Sequence, residues 1–434
     1  MSSRNPLTIM ETQRDRYARE TQLRLDSLTV STPQFGVLTR GRDEFELFIR
    51  MRKNFQLDRV SACIIRLFDV ASTILPRIRE EQQTTINGGV FGEDFRSVRK
   101  STLILVDPAT EYLFYESNLS KFTSSAVIPE PFREYARRCE SKKKSQSSDE
   151  YLKWKDANHR MFWGETYNDP KKRIQVVGET LDLELRSGAN VTMAPVPIKN
   201  SSTSFGISTK MNEVMRELSR DKAAQSSTYF LIHKSALNDE RLMDEITSYI
   251  EKDDARLTIL KFKQLDLTES ARVSEREAYR EFLLNLALIR QKKPSRGFTL
   301  LEGENQTFPS ATVAFDLVST SFTGQDGDGS GGRTPYGKWY DPKEMTQRDF
   351  QQVQRIVRTT GILPHGCPFC RSASNLSSIT PQEWYAGRRI HYCHCMQEFM
   401  EMIARAIKER NVELAREKIV NSSMSVLKTL IPRA

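Results

Sequence analysis

The clearest strand signal in the chain is the run Thr102-Leu-Ile-Leu-Val-Asp-Pro108, which is apolar until it ends at an aspartate and a proline. A strand that is apolar on both faces is typical of a parallel sheet covered by helices on both sides. Stretches with helical patterns, such as 43–52, 59–75, 240–251 and 274–291, alternate with further apolar runs at 190–193, 228–232, 257–261 and 298–301. This alternation predicts an α/β fold. The number of repeats favours a (β/α)8 TIM-like barrel over a doubly wound open sheet.

The composition is that of a globular chain with a basic balance. Of 434 residues, 38% are hydrophobic and 28% charged, and 65 Lys and Arg against 56 Asp and Glu give a net charge of +9. A positive chain of this kind favours nucleic acid as a partner. The sequence has no apolar run of membrane-spanning length and no signal-peptide pattern after Met1, which predicts a cytoplasmic protein without a membrane partner.

Most of the six cysteines lie in one C-terminal cluster. It consists of His365-Gly-Cys367-Pro-Phe-Cys370 and His391-Tyr-Cys393-His394-Cys395. Cys-x-x-Cys places two thiolates on one tight turn, and zinc takes four nitrogen or sulfur ligands in a tetrahedron. The cluster therefore predicts a structural Zn²⁺ site. The candidates outnumber the four positions, so the spacing leaves the ligand set open. A redox-active pair and a chance group of reduced cysteines are the alternatives.

Changes in composition predict three regions. Residues 1–30 are polar and form an N-terminal arm, residues 31–345 form the barrel, and residues 346–434 form a zinc-binding subdomain with C-terminal helices. Two insertions are expected in the barrel. Residues near 137–160 hold few aliphatic side chains and predict a solvated loop, and the glycine-rich residues near 323–335 predict a flexible loop over the active face. A calcium loop is disfavoured there, because Gly337 stands where a glutamate ligand is needed.

The last clear periodicity predicts a helix over residues 397–417. Its apolar stripe is expected to pack on the metal subdomain and the barrel. The stripe consists of Phe399, Met402, Ile403, Ala406 and Ile407.

Three stretches between residues 294 and 420 resemble the tRNA-guanine transglycosylase superfamily, whose members are (β/α)8 barrels that exchange guanine for a 7-deazaguanine in nucleic acid. His365-x-Cys367-x-x-Cys370, followed later by His391, keeps the spacing of the family's zinc motif with histidine in the first place. Phe315-Asp316 stands ahead of a glycine-rich loop, as the family's nucleophile segment does. Pro294–Gly303 is similar to the strand and turn that lead into that segment.

The resemblance implies a set of zinc ligands, a nucleophile, a DNA or tRNA substrate and a 7-deazaguanine base. It also implies either a homodimer formed through the zinc region or partners in a modification complex. The implied ligands are His365, Cys367, Cys370 and His391. Two departures favour a divergent branch, such as the DNA-modifying deazaguanine transglycosylases. The family's Asp-Ser-Gly-Gly-Phe-Gln motif would fall at 107–113, where only Asp107 remains, and the arginines expected after Asp316 are missing.

Exchange of a base needs one carboxylate that attacks C1′ and a second that handles protons. Asp107 directly follows the run 103–106, and Asp316 follows an expected strand over 311–315. Because the carboxyl ends of barrel strands form the active rim, we expect Asp316 to be the nucleophile and Asp107 the acid/base. A turn or cap role for Asp107 and a strand-end ion pair for Asp316 are the structural alternatives.

Further residues are candidates for binding base or phosphate. They are Glu302 at the same rim, His233 after a strand, Phe298 for stacking, and Arg388 and Arg389 for backbone phosphates. Each is equally consistent with an ordinary structural role. Two other functions remain open: a non-catalytic zinc-containing nucleic-acid-binding protein, and a hydrolase of nucleosides or glycosides that uses the two carboxylates with water.

Overall fold

A computed structural model describes residues 6–412 apart from short internal gaps. The gaps are 16–17, 27, 88–89, 116–118, 146, 199–201, 264, 266–272, 303–312, 322–337, 344–345, 364, 373–375 and 377–378. The predicted loop near 323–335 and the last five residues (413–417) of the predicted helix 397–417 lie outside the described residues.

The first described elements form a three-stranded antiparallel sheet rather than an arm. Its strands are β1 (Thr8–Asp15), β2 (Ala18–Leu25) and β3 (Leu28–Thr32). Leu23 and Leu25 of β2, and Leu28 and Val30 of β3, alternate with polar residues and are buried. Alternation with a period of two is the pattern of a sheet with one buried face. The predicted N-terminal arm over residues 1–30 is therefore wrong. That prediction rested on the overall polarity of the segment and overlooked the alternation of apolar and polar residues.

The centre of the fold is a curled, parallel, seven-stranded sheet, as in a half-barrel, and it is compatible with a TIM-like fold. The strand order is β6-β5-β4-β10-β9-β8-β7. All seven strands are buried along almost their whole length, as expected for a sheet covered on both faces. The strands are β4 (Gln34–Thr39), β5 (Ala62–Arg66), β6 (Leu103–Asp107), β7 (Thr228–His233), β8 (Leu257–Lys263), β9 (Gly297–Leu301) and β10 (Leu317–Ser321).

One short segment joins the two edge strands of this sheet. Val191 forms a parallel bridge with Leu105 of β6, and the adjacent Thr192 forms another with Ser226, just before β7. Three backbone hydrogen bonds hold the segment: Asn190 N to Ile104 O (2.9 Å), Thr192 N to Gln225 O (2.8 Å) and Ser227 N to Thr192 O (3.0 Å). Residues 190–192 thus lie where the sequence predicts a strand.

Helices follow most of the strands and cover the sheet. They are α1 (Arg42–Asn54), α2 (Ile74–Asn87), α3 (Val90–Lys100), α4 (Glu111–Tyr115), α5 (Leu119–Thr123), α6 (Glu130–Ser145), α7 (Ser148–Asn168), α8 (Pro170–Arg186), α9 (Ser202–Asp221), α10 (Glu240–Lys252) and α11 (Val273–Lys292). The helices expected near 43–52, 240–251 and 274–291 are confirmed. The helix expected over 59–75 is wrong, because β5 lies within it.

The solvated loop predicted near 137–160 is also wrong, because α6 and α7 occupy it. Ser147 and Glu150 form a capping box that starts α7, and Tyr151 and Trp163 of α7 are buried. Helix α7 buries its inner face with aromatic side chains, so the scarcity of aliphatic residues in this segment does not indicate a loop. No helix among the described residues is long and apolar enough to cross a membrane.

The C-terminal region contains β11 (Trp339–Asp341), β12 (Thr346–Arg348), α12 (Phe350–Thr360), α13 (Pro368–Ser372) and α14 (Pro381–Lys408). It has a small core of its own around Trp339, Val353 and Trp384. The long helix α14 starts sixteen residues before the predicted Gln397, at a capping box formed by Thr380 and Glu383. Its later half carries the predicted stripe into the main core, which confirms that packing.

Candidate metal centre and candidate active site

A zinc site needs its ligand atoms close together, and helices α13 and α14 bring three candidate ligands to one place. Cys367 and Cys370 lie at the start of α13, and His391 lies on α14. The Nδ1 atom of His391 is 3.6 Å from Cys367 Sγ and 3.4 Å from Cys370 Sγ. Ligands of a tetrahedral zinc ion, at about 2.0–2.3 Å from the metal, are separated by nearly the same distances.

A hydrogen bond fixes the orientation of the His391 ring. Its Nε2 lies 2.6 Å from the carbonyl oxygen of Tyr340, and the ring stacks on Trp339 with centroids 4.5 Å apart. Because a carbonyl only accepts, Nε2 carries the proton and Nδ1 presents its lone pair to the two thiols. Metal-binding histidines are commonly oriented in this way through the second ring nitrogen.

The donor atoms of His365, Cys367, Cys370 and His391 lie within 4.8 Å of one another, so this group could hold a metal ion such as zinc. Hydrogen bonding from Cys370 lowers the pKa of Cys367, which favours the thiolate that a metal needs. The donor set is the soft, nitrogen and sulfur set that zinc prefers.

Three other donors were left open by the spacing. Cys395 lies close to the group, with its Sγ 3.7 Å from His365 Nε2 and 3.8 Å from His391 Nδ1. Cys393 instead packs in the main core, and the His394 ring packs edge-on against Phe55. Cys395 is therefore the nearest substitute for His365, whose Nε2 also lies 3.1 Å from Glu398.

A second group of polar side chains lies at the carboxyl ends of the parallel strands. We call Arg66, Asp107, Glu111, Lys261, Lys263 and Glu302 the rim cluster. Arg66, Asp107 and Lys263 end their strands, and Glu302 directly follows β9. The Lys261 Nζ atom lies 2.5 Å from Asp107, 2.5 Å from Glu111 and 2.7 Å from Glu302. Asp107 and Glu302 thus lie at the carboxyl ends of their strands, as predicted. Their roles stay predictions.

The rim cluster balances three carboxylates with three cations. Lys263 lies 2.9 Å and Arg66 3.2 Å from Glu302. Burial opposes the charge of Glu302, but Arg66, Lys261 and Lys263 outweigh it and lower the pKa of Glu302 well below its ordinary value. Burial likewise opposes the charge of Lys261, yet the carboxylates raise its pKa. Glu302 and Lys261 are therefore both charged at neutral pH, although both side chains are buried.

Asp107 has further partners that orient it. Its Oδ1 accepts hydrogen bonds from the Tyr229 hydroxyl (3.1 Å) and the Ala109 backbone N–H (3.0 Å). The hydrogen bond from Ala109 N is the turn interaction that the sequence analysis named as an alternative role for Asp107. Asp107 makes this bond and also belongs to the rim cluster. The guanidinium of Arg66 lies over the Tyr112 ring, 4.5 Å from its centroid. Aromatic faces thus line one side of the cluster.

Asp316 lies at the opposite end of the sheet, and its expected place on the rim is wrong. It precedes β10, and its backbone oxygen accepts from Gln34 N at the start of β4. Its carboxylate is buried in an ion pair with Arg19 (3.0 Å) and Arg290 (3.4 Å), and accepts from Phe298 N (2.9 Å). We call Asp316, Arg19 and Arg290 the amino-end cluster.

Of the remaining predicted site residues, His233 lies at the carboxyl end of the sheet as the register partner of Lys263, and the others lie elsewhere. His233 ends β7, and its ring accepts from the backbone N–H of Ser235. Phe298 packs edge-on against Phe315, near the amino-end cluster, so it is not near the rim. Arg388 donates to Lys338 O, and Arg389 is buried in an ion pair with Glu44 at 2.7 Å. Arg389 thus ties α14 to α1 within the protein.

The sequence reading missed Lys261, although a signal was present. A lysine within an otherwise apolar strand run must find buried counter-charges, and here it finds three. With this geometry in place, comparison with protein-family models finds no match for the chain, and comparison with curated proteins finds none either. Fold and site together define a mixed α/β protein with a curled parallel sheet, a charged rim cluster and a Cys/His group able to hold a metal ion.

Proposed function

We propose that the protein is a (β/α)8-barrel enzyme that exchanges a base in nucleic acid, as the resemblance to the tRNA-guanine transglycosylases implies. The bridges through residues 190–192 support the barrel, because they link β6 to β7 and so give an eighth position in chain order. Zinc at His365, Cys367, Cys370 and His391 would act as a scaffold for the C-terminal region.

The observation that carries the proposal is the convergence of two carboxylates at the carboxyl ends of β6 and β9. Ligand atoms of Asp107 and Glu302 lie within 4.8 Å of each other. Glycoside-cleaving enzymes that form a covalent intermediate hold their two carboxyl groups about 5–5.5 Å apart, whereas those that use water directly hold them farther apart. The separation favours a covalent exchange over direct hydrolysis.

Because Asp316 lies at the other end of the sheet, we assign the attacking carboxylate to Glu302. Its oxygen forms a bond to C1′ as the C1′–N bond breaks, and the departing base takes the electron pair and a proton that the Lys261 ammonium passes through Asp107. The incoming 7-deazaguanine loses its N9 proton to Asp107 and attacks C1′, which releases Glu302. Lys261 and Arg66 hold the carboxylates in place, and Lys261 must move aside for the sugar.

The test is incorporation of labelled 7-deazaguanine into DNA or tRNA. Wild type should incorporate label into one polymer, and Glu302→Gln and Asp107→Asn should lower the rate by at least about a thousandfold. Glu275→Gln, a buried glutamate of α11 outside the rim cluster, is the matched control and should keep the rate. Folded Asp316→Asn should also keep it. Absence of label from both polymers would refute base exchange.

One observation favours a second function, that of a non-catalytic nucleic-acid-binding protein. Lys261 and Asp107 are 0% exposed, and the rim cluster is balanced in charge without a substrate. This reading expects binding that weakens steeply with salt and is unchanged by Asp107→Asn and Glu302→Gln. Filter binding of the same variants at increasing salt distinguishes the two functions.

A further inference from the structure

A cavity of about 560 Å³ lies on the carboxyl-end side of the sheet, apart from the rim cluster. Its walls come from α4, α7, the first turns of α9 and the segment that follows residues 190–192. None of the six rim-cluster residues lines it. A cavity of this size is within the range of small-molecule sites, about 300–1,000 Å³. We call it the α7 pocket.

One wall of the α7 pocket is aromatic. Phe114 meets the His159 ring edge-on at 4.9 Å, and His159 meets Trp163 at 6.3 Å. Burial, with the nearby Lys155 ammonium, lowers the pKa of His159 to about 4, so this ring is neutral at pH 7. Neutral aromatic faces beside a cavity are suited to stacking on a planar heteroaromatic ring.

The same wall holds a buried donor. The indole Nε1 of Trp163 is buried and has no hydrogen-bond partner among the described residues. Leaving such a donor unpaired costs about 1–3 kcal/mol, so buried indole N–H groups usually find an acceptor.

Other residues that line the α7 pocket suit an anion. Arg160 of α7 is exposed and lines the pocket, as do Thr203 and Ser204 in the first turn of the 20-residue helix α9. The N-terminus of a long helix carries backbone N–H groups and a partial positive charge that favour phosphate. Asp156 adds an acceptor for an exocyclic amino group.

We infer that the α7 pocket binds a nucleotide, with its base against Phe114 and Trp163 and its phosphate near Arg160 and the start of α9. The inference does not rest on catalysis at the rim cluster. A free nucleotide and a nucleotide within a strand share this chemistry.

The experiment measures binding of guanosine monophosphate, and separately of a short single-stranded DNA, to the full chain by calorimetry. Arg160→Ala should weaken binding roughly tenfold, the loss of one charge-assisted contact to phosphate. The matched control is Arg137→Ala, an exposed arginine of α6 that pairs with Glu130 outside the pocket, and it should change affinity less than about twofold. Trp163→Phe replaces the indole with a smaller aromatic ring and should weaken binding.

Saturable, Arg160-dependent binding of the mononucleotide supports a free nucleotide as the ligand, and Arg160-dependent binding of DNA alone supports a strand. The inference is overturned if neither probe binds, or if Arg160→Ala and Arg137→Ala have equal effects. Base exchange is measured by incorporation of label and this pocket by Arg160-dependent binding, so a failure of base exchange and a failure of this pocket are separate results.

Discussion

The two ends of the parallel sheet each hold buried charges, and they are arranged in opposite ways. At the carboxyl end, one central ammonium, that of Lys261, lies among three carboxylates. At the amino end, one carboxylate, that of Asp316, lies between two guanidinium groups. Both clusters are buried, so burial alone does not distinguish a functional group of charges from a structural one.

The partners of each cluster do distinguish them. In the amino-end cluster, the arginines also donate to backbone carbonyls: Arg19 to Pro294 O at 2.6 Å, and Arg290 to Ala314 O at 2.7 Å and Val313 O at 2.9 Å. These bonds lock chain segments together. The rim cluster is built mainly from contacts between side chains of different strands, which a substrate can rearrange without unfolding the backbone. Under the proposed function, the amino-end cluster serves stability and the rim cluster serves the chemistry.

The largest effect we expect comes from removing the proposed zinc ion. Helix α14 carries His391 and, two turns later, packs against the amino end, where Gln397 Oε1 accepts from Arg59 N at 2.7 Å. Structural zinc contributes on the order of 10 kcal/mol to the folding of small zinc domains. Chelation should therefore speed hydrogen exchange in α14 and β2, and leave β6 and β8 protected.

Added zinc should restore protection, and magnesium should not. Cys367→Ala should reproduce the effect of chelation, whereas Cys139→Ala, which removes a buried thiol of α6, should not. Equal exchange in α14 with and without metal would contradict the scaffold role.

The next largest effect should follow Asp316→Ala. The change leaves Arg19 and Arg290 buried without their carboxylate, which typically costs about 3–5 kcal/mol. Urea unfolding measures this loss. Asp182→Ala, which breaks an exposed pair with Lys222, is the control and should cost less than about 1 kcal/mol. A small cost for Asp316→Ala, with base exchange lost, would reverse the roles of the two ends.

Lys261→Met should destabilise the carboxyl end in a manner that depends on pH. Three carboxylates would remain close together, and their pKa values in the folded protein would rise above those in the unfolded chain. Stability is then retained at low pH and lost as pH rises. We expect a deficit of about 3 kcal/mol at pH 8 that shrinks at pH 5, measured by urea unfolding at both values.

The control for this change is Lys292→Met, which removes an exposed lysine paired with Glu251 at 2.6 Å. It should cost little at either pH. If Lys261→Met loses the same free energy at pH 5 and pH 8, the carboxylates do not depend on Lys261 for their charge.

The sequence predicts the alternation of strands and helices well, because strands buried on both faces are apolar throughout. The same property hides where such a strand begins. Residues 311–321 form a nearly continuous strand-like pattern, and the expected strand over 311–315 placed Asp316 at its end, whereas β10 starts at Leu317. The boundary was misplaced because no period-of-two pattern marks where the strand begins. The error moved Asp316 from the amino end of the sheet to the carboxyl end.

The metal group was easier to predict than the rim cluster, for a physical reason. Cys-x-x-Cys is a local constraint, and the structure brings His391 to it. The rim cluster joins residues from β5, β6, β8 and β9 that are far apart in sequence, so only the folded sheet shows that Lys261 meets Glu302. A local motif can be predicted from spacing alone, but a meeting of strand ends requires the strand boundaries.

The smallest effect we expect concerns Glu184 of α8, a buried carboxylate near the rim cluster. Unlike Glu302, it has no cationic partner among the described residues. Among the described residues no Lys or Arg forms an ion pair with it, and its oxygens accept only from Met193 N, at 3.1 Å. Burial, aided by Asp107, raises the pKa of Glu184 well above its ordinary value. The contribution of Glu184 to stability is therefore complete at a pH below its pKa in the unfolded chain. It is lost as the pH rises through its pKa in the folded protein.

Glu184→Gln should therefore raise the free energy of unfolding at pH 8 by about 1 kcal/mol, and change it little at pH 4.5. Glu179→Gln, a half-exposed position on the same helix, should show no such pH dependence. Urea unfolding at the two pH values measures both variants. A loss of stability in Glu184→Gln at pH 8 would mean that the carboxylate is ionised and bound by a cation. Glu184 would then belong with the rim cluster as a seventh charge.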